Sequence, residues 1–149
     1  MKLFISWKEV ESWKCISCGM CCHSYDIILE KNEYKKMCKM FGNEIFNYNK
    51  YPIKYFLKRR TNGSCIFQNT SEGKSKCNIH LIKPIICKIF PFFILNSDNK
   101  KLSFLYRKKR YNIYLERKCK GIKLGNPSSE FIYETLPEII NVSLNPILK

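Results

Sequence analysis

The residues Cys15-Ile16-Ser17-Cys18-Gly19-Met20-Cys21-Cys22 put four cysteines into eight positions, spaced C-x-x-C-x-x-C-C. A free thiol is oxidisable and reactive, so a chain that gathers four so closely has a use for sulfur. Two residues between cysteines allow a tight loop that turns both sulfurs back onto one ion. Gly19, with no Cβ, can take the left-handed backbone such a loop needs. The spacing fits metal ligation better than its alternatives, a disulfide knot or a few buried thiols.

Working outward, the 149 residues suggest one domain, residues 1–149, with one core. Nine cysteines are an odd number, which argues against a fully paired disulfide framework. Met1 to Ile5 is too short an apolar run for a secretory signal, and Lys8, Glu9 and Glu11 follow at once. The longest apolar run, Ile85 to Leu95, is broken by Lys88 and Pro91 and is about half of the roughly 20 residues a bilayer needs. The expectation is a soluble, cytoplasmic protein with no membrane partner. The formal charge of +15 permits binding to nucleic acid without demanding it. Two histidines leave few general bases near neutral pH, and no Ser–His–Asp set stands out. Any chemistry must then be carried mostly by metal.

Ahead of the loop, Phe4, Trp7 and Trp13 read as core aromatics rather than a cover for the cysteines. Ile27 to Leu29 reads as a short buried strand. Glu30 to Phe41 reads as a helix, with Tyr34, Met37, Cys38 and Phe41 on its apolar face and Gly42 as its stop. Cys38 is therefore a buried bystander. Tyr51, Ile53, Tyr55 and Leu57 alternate as in a strand, and Lys58 to Gly63 reads as a solvated charged turn. Ser64 to Gln68 is a candidate strand carrying Cys65, and Asn69 to Lys76 a turn or loop. Cys77 and His80 have the spacing of a zinc half-site. Lys83-Pro84 opens a helical turn carrying Cys87. Phe92 to Leu95 and Leu102 to Tyr106 suggest a hairpin, and the basic residues Arg107 to Arg110 read as its protected edge rather than as a nucleic-acid groove. Cys119 and Gly121 precede a last helix, capped by Ser128 or Ser129, buried through Phe131, Ile132, Leu136, Ile139 and Ile140, and kinked or divided at Pro137.

Setting Cys38 aside leaves Cys15, Cys18, Cys21, Cys22, Cys65, Cys77, Cys87 and Cys119. Eight thiols suit two four-thiolate sites, or a cluster with a smaller site. Cys21 and Cys22 are adjacent, and neighbouring side chains of extended backbone point apart, which favours two centres or a polynuclear one. Zinc takes four Cys or His ligands. C-x-x-C-x-x-C is a common opening for a [4Fe–4S] cluster, although the bacterial ferredoxin continuation is missing because Cys22 follows Cys21 directly. His23 and His80 are further candidate ligands.

These residues resemble the YkgJ-type cysteine-cluster proteins, a family described as zinc- or iron-chelating and often labelled iron–sulfur cluster-containing. The family's C-x-x-C-G-x-C-C opening is met by Cys15, Cys18, Gly19, Cys21 and Cys22; its lone strand cysteine by Cys65; its Cys–Pro–Cys–Pro block by Cys77, Pro84, Cys87 and Pro91; and its Cys-x-Gly by Cys119 and Gly121. His80 stands where the family usually has Tyr, and Lys83 where it has Arg, which keeps a charge but loses a bidentate fork. The resemblance implies metal bound through the eight cysteines. A relative in flagellin lysine methylation carries a similar motif, but this chain has no glycine-rich methyl-donor loop.

The expected fold is a small α+β domain, stapled by metal, with short antiparallel strands and two or three helices. The expected function is metal binding, by an iron–sulfur cluster (first choice [4Fe–4S]) or zinc, serving redox chemistry with a protein redox partner or metal handling. The alternatives are a structural zinc module binding nucleic acid through its basic surface, and a component related to protein lysine methyltransferases.

Overall fold

The computed structural model describes residues 2–23, 25–50 and 52–144. Its elements run β1 (Phe4–Ser6), β2 (Val10–Trp13), β3 (Ile28–Leu29), α1 (Lys31–Phe41), β4 (Phe46–Asn49), β5 (Lys54–Leu57), β6 (Gln68–Ser71), β7 (Lys74–Cys77), α2 (Ile85–Ile89), β8 (Phe92–Asn96), β9 (Phe104–Tyr106), β10 (Lys109–Glu116), β11 (Ile122–Leu124) and α3 (Leu136–Leu144). Short antiparallel strands with three helices make this a small α+β protein. The chain divides into two compact units, one from Met1–Ile16 with Ile89–Lys149, the other from Ser17–Lys88.

The first unit is organised on β10. Tyr111, Ile113 and Leu115 point to one side and are buried, as a two-residue period requires. Tyr111 pairs with both Asn96 of β8 and Phe104 of β9, and Leu115 with both Phe92 of β8 and Ile5 of β1. A strand residue has one neighbour on each side, so β8 lies along one edge of β10 while β9 and β1 share the other. The expected hairpin between Phe92–Leu95 and Leu102–Tyr106 is therefore not formed. The hairpin is β9–β10, turning on Arg107 and Lys108, which both have positive φ (46° and 64°) as a two-residue turn demands. The basic run is thus a turn and the start of a central strand, not a strand edge. Trp7 packs on Phe104 and Trp13 on Phe92, so these two lie against the core as expected, whereas Phe4, next to the buried Ile5 on β1, is exposed instead of belonging to the core. β2 pairs with β11.

The last helix closes this core. Ser128 Oγ accepts from the Phe131 N–H at 3.1 Å, which confirms it as the cap. Phe131–Thr135 is wound as a π-turn in which the Leu136 N–H reaches the Phe131 carbonyl, and α3 follows. The irregularity sits just ahead of Pro137, whose missing N–H already removes one bond of the ladder. Phe131, Leu136 and Ile140 are each essentially fully buried with Phe92, Ile113 and Leu115. Burial of this kind contributes about 1.5–3 kcal/mol per side chain.

In the second unit β3, β5 and β4 form a small sheet under α1. The expected helix is present, entered at Glu30 with a reciprocal Glu30–Glu33 cap and ended at Gly42. Its face carries Met37, buried, with Tyr34, Cys38 and Phe41 against the same cluster. The strand expected from Tyr51 is found at Lys54–Leu57; Tyr51 itself lies outside the described residues. Two expectations are corrected. Cys65 makes an isolated bridge to Arg59 instead of sitting in a strand. The stretch Asn69–Lys76 is not a loop but most of the hairpin β6–β7, turning on Glu72 and Gly73 at φ 52° and 73°. It has no apolar alternation to announce it, and the turn conformation does the specifying.

Candidate metal centre

The cysteine loop is shaped at Gly19. Its φ of +76° is left-handed, as expected, and a Cβ there would meet Gln68 Nε2 at 2.6 Å and Ser75 Oγ at 2.7 Å. Only glycine lets the β6–β7 hairpin lie this close. The hairpin is fixed by the Ser75 N–H donating to Ser17 O at 2.9 Å and by Gln68 Nε2 donating to Ser75 Oγ at 2.8 Å. Cys77, opposite Gln68 in the ladder, is brought in with it. After Gly19 the backbone makes a 3-10 turn over Met20–Cys22. Adjacent cysteines in a turn do not diverge as they would in extended chain, and the sulfurs of Cys21 and Cys22 stand 3.9 Å apart. Adjacency therefore does not send these two sulfurs to separate centres, as extended-chain geometry favoured. That separation is close to the edge of a tetrahedron with Zn–S bonds of about 2.3 Å, roughly 3.8 Å.

Cys65 joins by its backbone, donating to Cys22 O at 2.8 Å. Arg59 secures the junction: its Nη1 donates to the carbonyls of Cys22 (2.9 Å), His23 (3.0 Å) and Gly63 (2.9 Å). Arg60 donates to the carbonyls of Ile66 and Gln68, both at 2.7 Å. These arginines were expected to be a solvated turn; they hold the frame around Cys22 and Cys65 instead. Their acceptors are main-chain carbonyls, so no residue pattern announces them. Cys87 arrives on α2, which begins directly after Pro84 (the expectation put Pro84 at the first helical position), with the Cys87 N–H on Pro84 O at 2.9 Å. Glu33 of α1 accepts from the Ile85 N–H at 2.6 Å and so fixes the start of this helix.

Electrostatics ties these sulfurs together. The Cys22 thiol donates to Cys21, which brings Cys21 down to about 7 against the opposing effect of burial, with help from the Lys83 ammonium. Cys22 is pushed up by that same hydrogen bond, by burial, and by the neighbouring charges of Cys21, Cys65 and Cys77. Burial raises Cys77, and raises Cys87 to about 12; Cys21 and Cys65 add to both, and Lys83 opposes both. Charge on Cys21 or Cys65 thus raises the cost of ionising Cys22, Cys77 and Cys87. A cation is the physical remedy. Lys83 supplies part of it, a role its place between Cys77 and Cys87 in the sequence left unread.

Cys18 is exposed on the cysteine loop, and His23 and His80 are exposed. Cys38 is packed in the apolar cluster beside Tyr34, the bystander position expected of it. Cys15 and Cys119 belong to the first unit, near one end of the β2–β11 ladder, where the Lys14 N–H donates to Gly121 O at 3.0 Å. A Cβ on Gly121 would fall 2.1 Å from Lys14 O, which accounts for that glycine. Among the described residues no three His, Cys, Asp or Glu side chains are arranged to hold a metal ion as they stand. The donor chemistry suits a thiophilic centre.

An α+β scaffold that gathers half-buried thiols around one lysine defines a cysteine-cluster protein. The sequence model of the family CxxCxxCC, described as "Putative zinc- or iron-chelating domain", matches residues 14–124, and the chain belongs to that family. It is also similar to "Uncharacterized protein MJ0661" of Methanocaldococcus jannaschii, 28% identical over 142 residues, which cover 87% of this chain and 68% of the relative. No solved structure matches. Among the described residues no helix is long and apolar enough to cross a membrane.

Proposed function

We propose that this chain is a metal-binding protein of reducing, cytoplasmic surroundings whose ligands are drawn from Cys15, Cys18, Cys21, Cys22, Cys65, Cys77, Cys87 and Cys119, and whose occupant is an iron–sulfur cluster. The observation that carries the reading is the gathering of five cysteines in one unit: the sulfurs of Cys21 and Cys22 are 3.9 Å apart, the Cys65 N–H is held by Cys22 O, Cys77 lies on the hairpin packed at Gly19, and Cys87 on the helix after Pro84. An all-sulfur donor set of more than four thiols favours a cluster over a single zinc ion. A cluster would supply one-electron redox chemistry; zinc would supply structural cross-linking. The chain's own residues hold the sulfurs: Gly19 seats Cys77's hairpin, Arg59 pins Cys22 to Cys65, and Glu33 seats the helix of Cys87.

The test is anaerobic purification, then elemental analysis, sulfide determination and a visible spectrum on one sample. About four iron per chain with acid-labile sulfide and a brown band is the expected result. About one or two zinc without colour would replace the cluster by a structural ion and keep metal binding. A chain that retains and rebinds neither metal would overturn the proposal.

A further inference from the structure

β8 is the last strand of its sheet: β10 pairs with one side of it, and among the described residues no strand pairs with the other. The main-chain bonds fix which groups the open side presents. The Ser97 N–H donates to Arg110 O at 3.0 Å and the Glu116 N–H to Pro91 O at 2.9 Å, so Phe93, Leu95 and Ser97 turn their N–H and C=O groups toward β10. Alternation turns those of Phe92, Ile94 and Asn96 to the open side. Phe92 is 2% exposed, which leaves its groups covered, whereas Ile94 is half-buried and Asn96 exposed. Among the described residues no hydrogen bond takes up the main-chain groups of Ile94 or Asn96 on that side. Between them stands Leu95, beside Asn112 on the face turned from the core, and 60% exposed. Free strand edges are ordinarily guarded by charge or by proline. Here no charged residue occurs from Ile89 to Ser97, and Pro91 lies ahead of the strand.

We infer that the Ile94–Asn96 edge pairs with the same edge of a second copy of this chain, antiparallel, about a two-fold axis at Leu95. The axis sets Ile94 opposite the partner's Asn96, and Asn96 opposite the partner's Ile94. Each such pair exchanges two N–H···O bonds, so the four open groups of one copy meet the four of the other and none is left over. That closure selects a second copy. An unrelated strand would have to match the spacing, whereas a two-fold axis supplies the match by symmetry and stops at two chains. Leu95 then meets the partner's Leu95 in a non-hydrogen-bonded pair, where side chains come closest, and its exposure is relieved. Charge argues the same way. In a chain of +15 an acidic occupant would be held at basic residues, and this edge has none. The same net charge opposes self-association, and so short an edge buries less than the roughly 1,200 Å² of a standard interface, so the dimer is weak and salt strengthens it.

The test is sedimentation of the full chain under reductant, from about 10 μM to about 1 mM, at low and at high salt. The expected mass climbs toward twice that of the monomer with concentration, and climbs further in high salt. Leu95→Lys leaves the core untouched and sets ammonium against ammonium at the axis; Leu95→Glu does the same with carboxylates. Each variant alone associates at least about ten-fold more weakly than the parent, and an equimolar mixture of the two recovers the association. Amide exchange supplies a second readout. The Ile94 and Asn96 N–H groups slow as concentration rises, while those of Phe93 and Leu95, already bonded to β10, do not change. The inference is overturned by a parent that stays monomeric throughout, by an association that falls with salt as one bridged by a polyanion would, by single variants that associate as the parent does, or by a mixture no tighter than its components. None of these readouts depends on metal, so the proposal above stands or falls separately.

Discussion

Arg59 offers the sharpest test of how the site is built. Arg59→Ala removes a cation whose Nη1 faces three carbonyls, but that nitrogen has only two hydrogens, so at most two full bonds are lost. Hydrogen bonds from a charged donor are worth about 1.5–3 kcal/mol each. The side chain is 23% exposed, so water recovers part of this, and the contact to Asp26 at 3.9 Å adds little because that carboxylate is 77% exposed. The expected loss is about 2–4 kcal/mol, a large share of the stability of a small unit. Urea unfolding of the metal-free chain under reductant measures it, and amide exchange at Cys65, whose N–H is held by Cys22 O, localises it. Arg59→Lys should recover part of the protection and Arg59→Ala none. Thiolate-to-cobalt absorption on Co(II) titration should fall in the same order. Should Arg59→Ala unfold within about 0.5 kcal/mol of the parent with Cys65 exchange unchanged, the clamp is not what holds Cys22 and Cys65 together.

Gly19→Ala should cost about 2–3 kcal/mol, from left-handed backbone and from the clash with Gln68 and Ser75, read as a lowered melting temperature and reduced metal content. Lys83→Met removes the positive charge acting on Cys21, Cys77 and Cys87, so alkylation of Cys21 by iodoacetamide at neutral pH should slow by about three-fold. The metal-free chain should show opposing pH trends. Cys21, lowered from 9.0 to about 7, contributes stability that is present above pH 9 and lost as pH falls through 7, whereas Cys87, raised to about 12, contributes stability present below pH 9 and lost as pH rises through 12. Urea midpoints with chelator and reductant should therefore peak near pH ~9, and a monotonic profile would contradict the assignment. Cys38→Ala should leave metal content unchanged, while Cys65→Ser should abolish or halve it by elemental analysis, since only Cys65 shares the field of the other sulfurs.

Whatever chemistry is local is legible in the sequence. The helix after Glu30 announced itself by period and by Gly42, and Gly19 by its place between cysteines. Pro84 and Ser128 marked helix starts for the reasons that hold in any chain. Pairing was harder, because Phe92–Leu95 and Leu102–Tyr106 look like partners until β10 takes both as neighbours, one on each side. The Glu72-Gly73 turn was legible in principle, but its polar strands hid the hairpin. Of the candidate site, the identity of the sulfurs was plain, whereas their supports were not. Arg59 and Glu33 act on main-chain groups far off in sequence, and Cys21 and Cys22 depend on a turn that reverses the geometry of extended chain.

The π-turn at Phe131–Thr135 has a consequence for how the last helix tolerates length change. In a regular helix, residues five apart are about 140° out of phase, so Phe131 and Leu136 would not share a face. The wider turn brings them round together, and both are buried. The helix therefore carries one residue more than its core contacts use. Removal of Thr135 would let the ladder revert to regular winding with Leu136, Ile139 and Ile140 keeping their places. A deletion elsewhere in the same helix would swing those side chains by about 100°. This short segment is the point at which the chain can lose a residue and keep its interior.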